Sequence, residues 1–243
     1  MSANPAISVL VPTLNEQDWI EHSISTVRAA LRTAGVAGEI VVCDGGSTDE
    51  TRRRAEMLGV DRIVTAGGGR AAQLDAGARE STGETLAMLH ADAIVRPEWV
   101  AEIVESIDAG AAGGWFQIEI LPELGTLQGA NGLELMAAGI NARTRATEKA
   151  ATADQSIFVR RSVFEAIGGV PDLPILEGNA LARRIAEHGP VSLGGPHVRI
   201  SGRRWERGGL LRTMFLMFAI RGAFHLGVDP ARLRHVWDTL SSS

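Results

Sequence analysis

Acidic side chains recur in this sequence directly after short strand-like runs. A ribonucleotide offers N–H groups on its base and hydroxyls on its ribose, and carboxylate oxygens accept hydrogen bonds from both. Its diphosphate needs positive charge from arginine, from a helix N-terminus or from a divalent cation. The pattern therefore matches a nucleoside diphosphate. The acidic residues are Glu16, Asp44 and Asp92, which follow the runs at residues 6–11, 39–43 and 85–89.

Arginine supplies the positive charge in this interpretation, because Lys149 is the only lysine in the chain. Arg70 follows three glycines, at residues 67–69, where a helix is predicted to begin. These glycines lack the G-x-G-x-x-G spacing after a first strand, so they are weak support for dinucleotide binding. On its own, the segment 44–49 is more typical of an ordinary glycine-rich turn. The order and spacing of all the segments together favour a nucleotide site.

Strand and helix patterns alternate through the first half of the chain. The helix predicted over residues 19–31 places Ile20, Ile24 and Val27 on one face. The alternation predicts an α/β fold with a mainly parallel central sheet and helices on both faces, whose ligand sites collect at the carboxyl ends of the strands. Strands are predicted at 6–11, 39–43, 62–65, 85–89, 114–120 and 156–159, and further helices up to 58, over 70–81, from 97, over 127–142 and over 180–188.

The chain has 243 residues, of which 45% are hydrophobic and 22% charged, as is usual for a folded globular protein. No internal repeat or low-complexity linker divides it. We therefore expect a single domain over 1–243, with a nucleotide-binding half at about 1–110 and an acceptor half at about 111–243. The net charge of -5 argues against nucleic acid as a partner bound through overall charge.

The sequence offers no disulfide framework and no multi-cysteine zinc site, since Cys43 is the only cysteine. The N-terminus does not have the pattern of a signal peptide. The longest late apolar run, at residues 214–220, lies between Arg212 and Arg221 and is too short for a bilayer, which takes about 20 residues. A cytoplasmic location is therefore expected.

Several short motifs in a fixed order resemble the family-two, inverting glycosyltransferases of the GT-A fold. They are Pro12 to Glu16, Asp44 to Asp49, His90 to Asp92, Asp154 to Arg161, Gly168 to Pro171 and Ser201 to Glu206. Within that family the chain is most similar to a small bacterial subgroup that has His-Ala-Asp in place of Asp-x-Asp. The resemblance extends from about Ile7 to Leu233, which is nearly the whole chain.

The resemblance implies roles for individual residues. Pro12, Glu16, Asp44 and Arg70 would hold the nucleoside of a UDP- or GDP-type sugar donor. Asp92 would ligate a divalent metal, Mn²⁺ or Mg²⁺, on the diphosphate, and such ions accept a few protein oxygens together with water or substrate oxygens. His90 and His197 are candidate additional ligands, although a lone histidine is more often a structural hydrogen-bonding residue.

The position of the catalytic base departs from the family pattern. The family carries Glu-Asp where this chain has Glu177-Gly178, and the second acid is the expected base. Glycine accepts no proton, so Glu177 takes over, Asp154 serves, or the protein transfers slowly or not at all. A purely structural interpretation is that Gly178 and Asn179 form a turn, with Asn179 capping a helix that begins at Ala180.

Other polar residues are candidates for the acceptor side. Asp154 and Gln155 could read sugar hydroxyls, against an interpretation as ordinary loop polarity. The group Arg203, Arg204 and Trp205 combines two guanidinium forks with an indole, which suits phosphate plus stacking on a sugar or base. A solvated basic loop is the competing interpretation. Arg143 and Arg145 could also meet phosphate, although arginines near a helix C-terminus often only complement the dipole.

The stretch 209–228 carries methionines and phenylalanines at helical spacing among basic residues. Such a stripe is most often core or a homodimer face. A basic, aromatic-rich amphipathic helix can also lie on a membrane surface, which would suit peripheral membrane contact and a lipid-linked acceptor.

Three functions remain open on the sequence. The first is metal-assisted, inverting glycosyl transfer from a nucleoside-diphosphate sugar to an unidentified acceptor. The second is a sugar nucleotidyltransferase, which ordinarily shows a glycine-rich basic loop after the first strand, and residues 13–16 are not such a loop. The third is a weakly active or non-catalytic nucleotide-sugar binding protein, which only Gly178 favours.

Overall fold

The computed structural model describes residues 5–122, 130–147, 151–203, 205 and 209–241. The strands are β1 (Ile7–Thr13), β2 (Gly38–Asp44), β3 (Arg62–Thr65), β4 (Thr85–Met88), β5 (Ala93–Val95), β6 (Gly113–Leu121), β7 (Phe158–Arg160) and β8 (Val191–Ser201). The helices are α1 (Ile20–Ala34), α2 (Thr51–Met57), α3 (Arg70–Glu80), α4 (Trp99–Asp108), α5 (Ala130–Ala146), α6 (Arg161–Ala166), α7 (Glu177–His188), α8 (Leu210–His225) and α9 (Pro230–Ser241). A short 3-10 turn spans Ala153–Gln155.

The eight strands form one sheet in the order β3-β2-β1-β4-β7-β6-β8-β5. β1 pairs in parallel with both β2 and β4, β2 with β3, and β6 with β8. β7 lies antiparallel between β4 and β6, and β5 is antiparallel to β8 at the edge. Strands from both predicted halves therefore share one sheet. The predicted α/β fold with a mainly parallel sheet is confirmed.

Alternating side chains of the sheet bury two separate apolar layers. In β1, Ile7, Val9 and Val11 pack on one face together with apolar residues of α1, α2, α4 and α5. Leu10 points to the other face and packs with residues of α3, α6 and α7. Successive side chains of a strand point to opposite faces, so a strand covered on both sides reads as a continuous apolar run. This explains why the run at residues 6–11 does not alternate with polar residues.

Helix α1 illustrates how the sequence fixes an element. Ile20, Ile24 and Val27 are fully buried at spacings of four and three residues, which is one face of a helix. The helix ends at Gly35, whose φ of 65° is in the left-handed region that favours glycine. The predicted helix over 19–31 is therefore confirmed, with three more residues at its C-terminal end.

The second half of the chain differs more from the sequence prediction. β5, α6, β8 and α9 were not predicted, and α7 begins at Glu177, three residues before the predicted start. β8 contains Gly194, Gly195 and Pro196, which interrupt a strand pattern, and its register with β6 shifts between Phe116 and Ile118. The predicted helix over 127–142 is α5, which extends to Ala146, while residues 127–129 lie outside the described residues.

The carboxyl ends of β1 and β2 are joined by one buried side chain. Gln73 of α3 donates from Nε2 to the carbonyl oxygen of Thr13 at 2.7 Å and to that of Cys43 at 3.0 Å. The loops that follow are also linked, since the backbone N–H of Glu16 donates to Thr51 Oγ1 at 2.7 Å. This edge of the sheet is therefore fixed before any ligand binds.

Within the described ranges, no helix combines the length and the apolar character that crossing a membrane requires.

Replacing Gln73 with leucine should destabilise the protein by about 1–3 kcal/mol, because two buried carbonyls would lose their shared donor. Urea unfolding measures the change. Glu80→Ala, at an exposed position on the same helix, is the matched control and should change the free energy of unfolding by less than about 0.5 kcal/mol. Equal effects of the two variants would show that Gln73 does not hold this edge.

Candidate active site

Two acidic residues from distant parts of the chain converge on one guanidinium. Glu16 follows β1, Asp92 follows β4, and Arg203 follows β8. Arg203 Nη2 donates to Glu16 Oε1 at 2.7 Å and to Glu16 Oε2 at 2.8 Å, and it lies 3.1 Å from Asp92 Oδ2. The structure therefore brings together three of the predicted site residues. Arg203 links Glu16, the candidate for nucleoside binding, with Asp92, the candidate metal ligand.

The cluster is mostly shielded from solvent, and this shapes its ionisation. Burial raises the pKa of Glu16 above its usual value, while the hydrogen bond and charge of Arg203 oppose that rise. Burial alone would lower the pKa of Arg203, but its hydrogen bond with Glu16 and the charge of Asp92 raise that pKa instead. The guanidinium therefore stays charged, and its positive charge offsets the repulsion between the two neighbouring acidic groups.

Asp44 is fully buried and is used by its own loop. Its carboxylate accepts hydrogen bonds from the backbone N–H of Gly46 at 3.0 Å and from Ser47 Oγ at 2.5 Å. Thr13 Oγ1 lies 3.3 Å from the same carboxylate. These contacts shape the turn after β2, and the contact of Asp44 with a nucleoside stays a prediction.

Arg70, the first residue of α3, pairs with the candidate base Glu177. Arg70 Nη1 donates to Glu177 Oε1 at 2.9 Å. Both residues line a narrow pocket with Pro12 and His90. Two predicted nucleoside residues, Pro12 and Arg70, therefore lie beside one of the two predicted catalytic carboxylates.

A larger cavity of about 380 Å³ lies next to this pair. One wall carries Arg70, Asp154, Glu177 and Gly178, and the other comes from the last two helices. Residues of α8 and α9 that line it are Met217, Ile220, Arg221, Arg234 and Trp237. The second candidate base, Asp154, therefore shares a cavity with Glu177, and its Oδ1 lies 4.0 Å from Nε2 of His90.

Gly178 occupies a position that accepts no side chain. A Cβ on Gly178 would lie 2.6 Å from the Cβ of Ala153 and 2.7 Å from its backbone nitrogen. Real Cβ atoms do not come that close to backbone, so α7 can pack on the 3-10 turn only with glycine here. The acid that the family resemblance implies at this position would not fit.

The structural interpretation of Gly178 and Asn179 as a capping turn is wrong. Gly178 lies in the first turn of α7, which begins at Glu177, and Leu176 precedes the helix with a φ of 65°. Asn179 lies inside the first turn and does not cap the helix. Its Nδ2 donates to the carbonyl oxygen of Ala151 at 2.7 Å. The segment around Asp154 is thus tied to α7 by a hydrogen bond as well as by the close approach at Gly178.

Gln155 and Trp205 lie in the protein interior. The Gln155 amide is fully buried, donates to the carbonyl oxygen of Phe116 at 3.0 Å and accepts from the backbone N–H of Thr152 at 3.1 Å. The Trp205 indole is 2% exposed and packs in the apolar layer that contains α5. The structure does not bring either side chain to the cavity, and Arg204 lies outside the described residues.

Asp92 and Glu16 carry carboxylate oxygens of the kind that Mn²⁺ and Mg²⁺ prefer, and in this structure both carboxylates contact Arg203 Nη2. Among the described residues, no group of three or more His, Cys, Asp or Glu side chains is arranged to hold a metal. His197 instead pairs with Glu102 at 2.7 Å. Water and phosphate oxygens would have to complete the coordination.

The sequence did not reveal every residue of this region. The pairing of Arg203 with Glu16 and Asp92 joins residues up to 187 positions apart, and no local pattern signals it. Arg221, Arg234 and Trp237 line the cavity although they lie in the C-terminal helices. Only the basic and aromatic character of that stretch could have pointed to them.

The model of the family described as Glycosyl transferase family 2 matches residues 8–168. The low-salt glycan biosynthesis hexosyltransferase Agl6 of Haloferax volcanii is 34% identical over 122 residues, which are 49% of this chain and 29% of that protein. The dolichol-phosphate mannosyltransferase of Pyrococcus furiosus is 31% identical over 110 residues, 43% of this chain and 31% of that protein. This chain thus matches less than a third of the length of either relative.

The fold is similar to that of solved glycosyltransferases. The mannosyltransferase PcManGT from Pyrobaculum calidifontis, solved in complex with GDP-Man and Mn²⁺, superposes with a TM-score of 0.57 at 21% identity. The match covers 90% of this chain and 65% of that one. At this identity the likeness shows the fold, which is of the GT-A type.

Gly178→Ala should destabilise the protein by about 1–3 kcal/mol, because the new methyl group would overlap Ala153. Gly222→Ala is the matched control: Gly222 lies within α8, and a Cβ there would meet nothing within 4 Å. That control should leave stability unchanged or raise it by up to about 1 kcal/mol. Thermal unfolding of both variants measures the difference. A Gly178→Ala variant as stable as the parent would refute the steric closure of this position.

Proposed function

The chain belongs to glycosyl transferase family 2, and we propose that it is a glycosyltransferase that transfers a sugar from a nucleoside-diphosphate donor with inversion at the anomeric carbon. The convergence of Glu16 and Asp92 on Arg203 carries this proposal. A site that gathers oxygen ligands and a fixed positive charge can hold both a divalent cation and a diphosphate. The resemblance to the His-Ala-Asp subgroup supports the same assignment.

The nucleoside of a UDP- or GDP-type donor is proposed to lie against Pro12, Glu16, Asp44 and Arg70. Pro12 and Arg70 line one pocket, and Arg70 is held in place by Glu177. Asp44 shapes the loop that follows β2. It is therefore proposed to contribute to nucleoside binding through the shape of this loop, without direct contact with the nucleobase.

The departing diphosphate needs its charge neutralised. Asp92 would hold a Mn²⁺ or Mg²⁺ ion, and such an ion, when bound, stabilises the negative charge on the leaving phosphate oxygen. Arg203 already contacts Asp92 and supplies a second positive charge at the same point. Arg204 is proposed to assist phosphate binding on the strength of the sequence motif alone. Trp205 is buried, and its proposed role is to anchor this arginine segment in the core.

An acceptor that attacks through a hydroxyl group needs a base. The cavity is lined by Asp154, Asp172 and Glu177, of which Asp154 and Glu177 are the candidates from the sequence. Glu177 is engaged by Arg70, which suits it to positioning. Asp154 is therefore proposed to take the proton as the acceptor oxygen bonds to the anomeric carbon and the bond to the diphosphate breaks. Gln155 is proposed to act through Asp154, because its buried amide fixes the turn on which Asp154 lies.

A second candidate function is nucleotide-sugar binding with little or no turnover. The closed position at Gly178 favours it, since the chain lacks the acid that relatives use there. Consumption of a sugar nucleotide separates the two functions, because both require nucleotide binding and only transfer consumes the donor. The sugar nucleotidyltransferase alternative gains nothing from the structure.

Contact with a membrane or a second copy through residues 209–228 is also proposed. Large apolar side chains of this segment are exposed, namely Leu211, Phe215, Phe218 and Leu226. Peripheral membrane contact is compatible with the proposed cytoplasmic location.

Isothermal titration should show that Mn²⁺ strengthens the binding of UDP or GDP. Asp92→Asn should reduce this enhancement at least tenfold, because one charged metal ligand becomes a neutral amide. Glu98→Gln, an exposed carboxylate at the start of α4, is the matched control and should keep the enhancement. Nucleotide binding that ignores Mn²⁺ in the parent protein would contradict the proposed metal role of Asp92.

The Arg203→Met variant should lose nucleotide binding at a higher pH than the parent as the solution is acidified. Burial raises the pKa of Glu16, and Arg203 is the group that holds that pKa down. Without Arg203 the Glu16 carboxylate would ionise only at higher pH, so a site that needs the ionised form would fail earlier. Titrations of nucleotide affinity between about pH 3.5 and 8 bracket the usual pKa of glutamate and test this.

Arg199→Met controls for loss of an arginine in the same part of the chain. Arg199 lies on β8 and pairs with Glu119 at 2.6 Å, away from Glu16. The Arg199 variant should lose nucleotide affinity at the same pH as the parent when the solution is acidified. If the Arg203 variant also loses affinity at the parent's pH, Glu16 ionisation does not control binding.

A further inference from the structure

An apolar groove runs between α5 and α8, outside the cavity described above. It has a volume of about 280 Å³. The residues that line it repeat at helical spacing along both helices, and they include Gly132, Met136 and Gly139 of α5 and Leu210, Met214 and Phe218 of α8. Gly139 has no side chain and open space beside it, which leaves this part of the α5 face open.

The groove has a defined direction. At one end α5 and α8 are so close that a Cβ on Gly132 would collide with Leu210. At the other end, eleven residues further along each helix, lie Arg143 and Arg221. At a helical rise of 1.5 Å per residue, the groove is roughly 16 Å long. Its walls are therefore apolar for most of that length, and its far end is cationic.

The two arginines at the far end have several guanidinium nitrogens that the protein does not satisfy. Arg143 Nε and Nη2 and Arg221 Nε are buried and have no hydrogen-bond partner among the described residues. Burial lowers the pKa of Arg143, and the charge of Asp154 opposes this. Buried guanidinium nitrogens without acceptors are costly, so a bound anion that accepts from them would stabilise this end of the groove.

The cationic end joins the groove to the candidate active site. Arg221 lines the groove and also the cavity that contains Asp154 and Glu177. On the outer side, Arg143 and Arg221 line a further cavity with Arg184 and with the ion pair of Arg183 and Glu187. Arg143 and Arg221 therefore lie between an apolar channel and the proposed site of transfer.

We propose that this groove binds the glycosyl acceptor, and that the acceptor is a lipid phosphate monoester whose chain lies between α5 and α8 and whose phosphate lies between Arg143 and Arg221. The inference rests on the proposed function, because it names the acceptor class of that same transfer. A free sugar would not use an apolar groove, and an uncharged lipid would leave the arginines unsatisfied.

A phosphate acceptor also accounts for the closed position at Gly178. The second pKa of a phosphate monoester is about 6, so its oxygen is largely anionic at neutral pH. That oxygen bonds to the anomeric carbon while the bond from this carbon to the diphosphate oxygen breaks, and the electron pair leaves on the diphosphate. No proton is transferred, so the reaction needs no base at position 178, and Asp154 is left to balance the charge of Arg143.

Equilibrium binding of dodecyl phosphate below its micelle concentration tests the proposal on the full chain. Dodecanol and inorganic phosphate probe the two parts separately. The parent protein should bind dodecyl phosphate at least tenfold more tightly than either. Adding dodecyl phosphate should also accelerate consumption of a sugar nucleotide in the presence of Mn²⁺.

Matched variants locate the site. Gly139→Leu should weaken dodecyl phosphate binding at least tenfold, because it fills the groove at a position where a Cβ meets nothing within 4 Å. Gly222→Leu on α8 has the same freedom, does not line the groove, and should bind like the parent. The double variant Arg143→Met and Arg221→Met should bind dodecyl phosphate no better than dodecanol.

Several results would overturn the proposal. They are dodecanol binding as tightly as dodecyl phosphate, binding unaffected by Gly139→Leu, and a dimer in solution that Gly139→Leu dissociates, which would assign the groove to a second copy. UDP and GDP binding with Mn²⁺ is measured on the same preparations. Nucleotide binding without dodecyl phosphate binding would refute the groove alone, whereas dodecyl phosphate binding without nucleotide binding would refute the proposed donor site.

Discussion

The geometry of the proposed donor site depends on one guanidinium held between two carboxylates. Glu16 and Asp92 come from loops at the carboxyl end of a parallel sheet, where neighbouring strands bring their following residues together. Two buried carboxylates in proximity repel each other and favour protonation unless a cation lies between them. Arg203 supplies that cation and is itself held by both. The loops after β1, β4 and β8 are therefore fixed relative to one another by charge as well as by the sheet.

A second constraint is steric and operates at the other side of the cavity. Gly178 and Ala153 bring α7 against the 3-10 turn, and this contact presents both Glu177 and Asp154 to one space. The same closeness removes any side chain at position 178. The missing acid is thus a consequence of how these two elements pack, and the chain could not regain it by a single substitution without moving backbone. The buried amide of Gln155 and the hydrogen bond from Asn179 hold the arrangement in place.

The sequence predicted most of the fold where buried strands and amphipathic helices follow one another. β3 has the predicted bounds, and α1 and α3 differ from prediction only near their ends, because their apolar spacing and flanking glycines are local signals. The start of α7 was missed because no ordinary capping residue precedes it: Leu176 takes a left-handed conformation that tertiary packing imposes. β8 was missed because its glycines and proline mask a strand that the sheet nevertheless completes.

For the candidate site, sequence reasoning identified residue types better than their environments. It selected Glu16, Asp92, Arg70 and Glu177, which the structure pairs through salt bridges. It could not predict that Gln155 and Trp205 are buried, because the type of a polar or aromatic residue does not show whether it lies in an exposed loop or in the interior.

The groove between α5 and α8 is a feature that sequence reasoning did not identify. From the sequence alone its apolar residues look like core residues. The structure shows that they line a groove left open at Gly139, and that Arg143 and Arg221 end this groove beside the cavity. A hydroxyl acceptor would have to rely on Asp154 as its base, whereas an acceptor that arrives already ionised needs positive charge and no base. Position 178 admits no side chain, and three buried guanidinium nitrogens of Arg143 and Arg221 have no hydrogen-bond partner among the described residues. The negative charge of the proposed acceptor would account for both features.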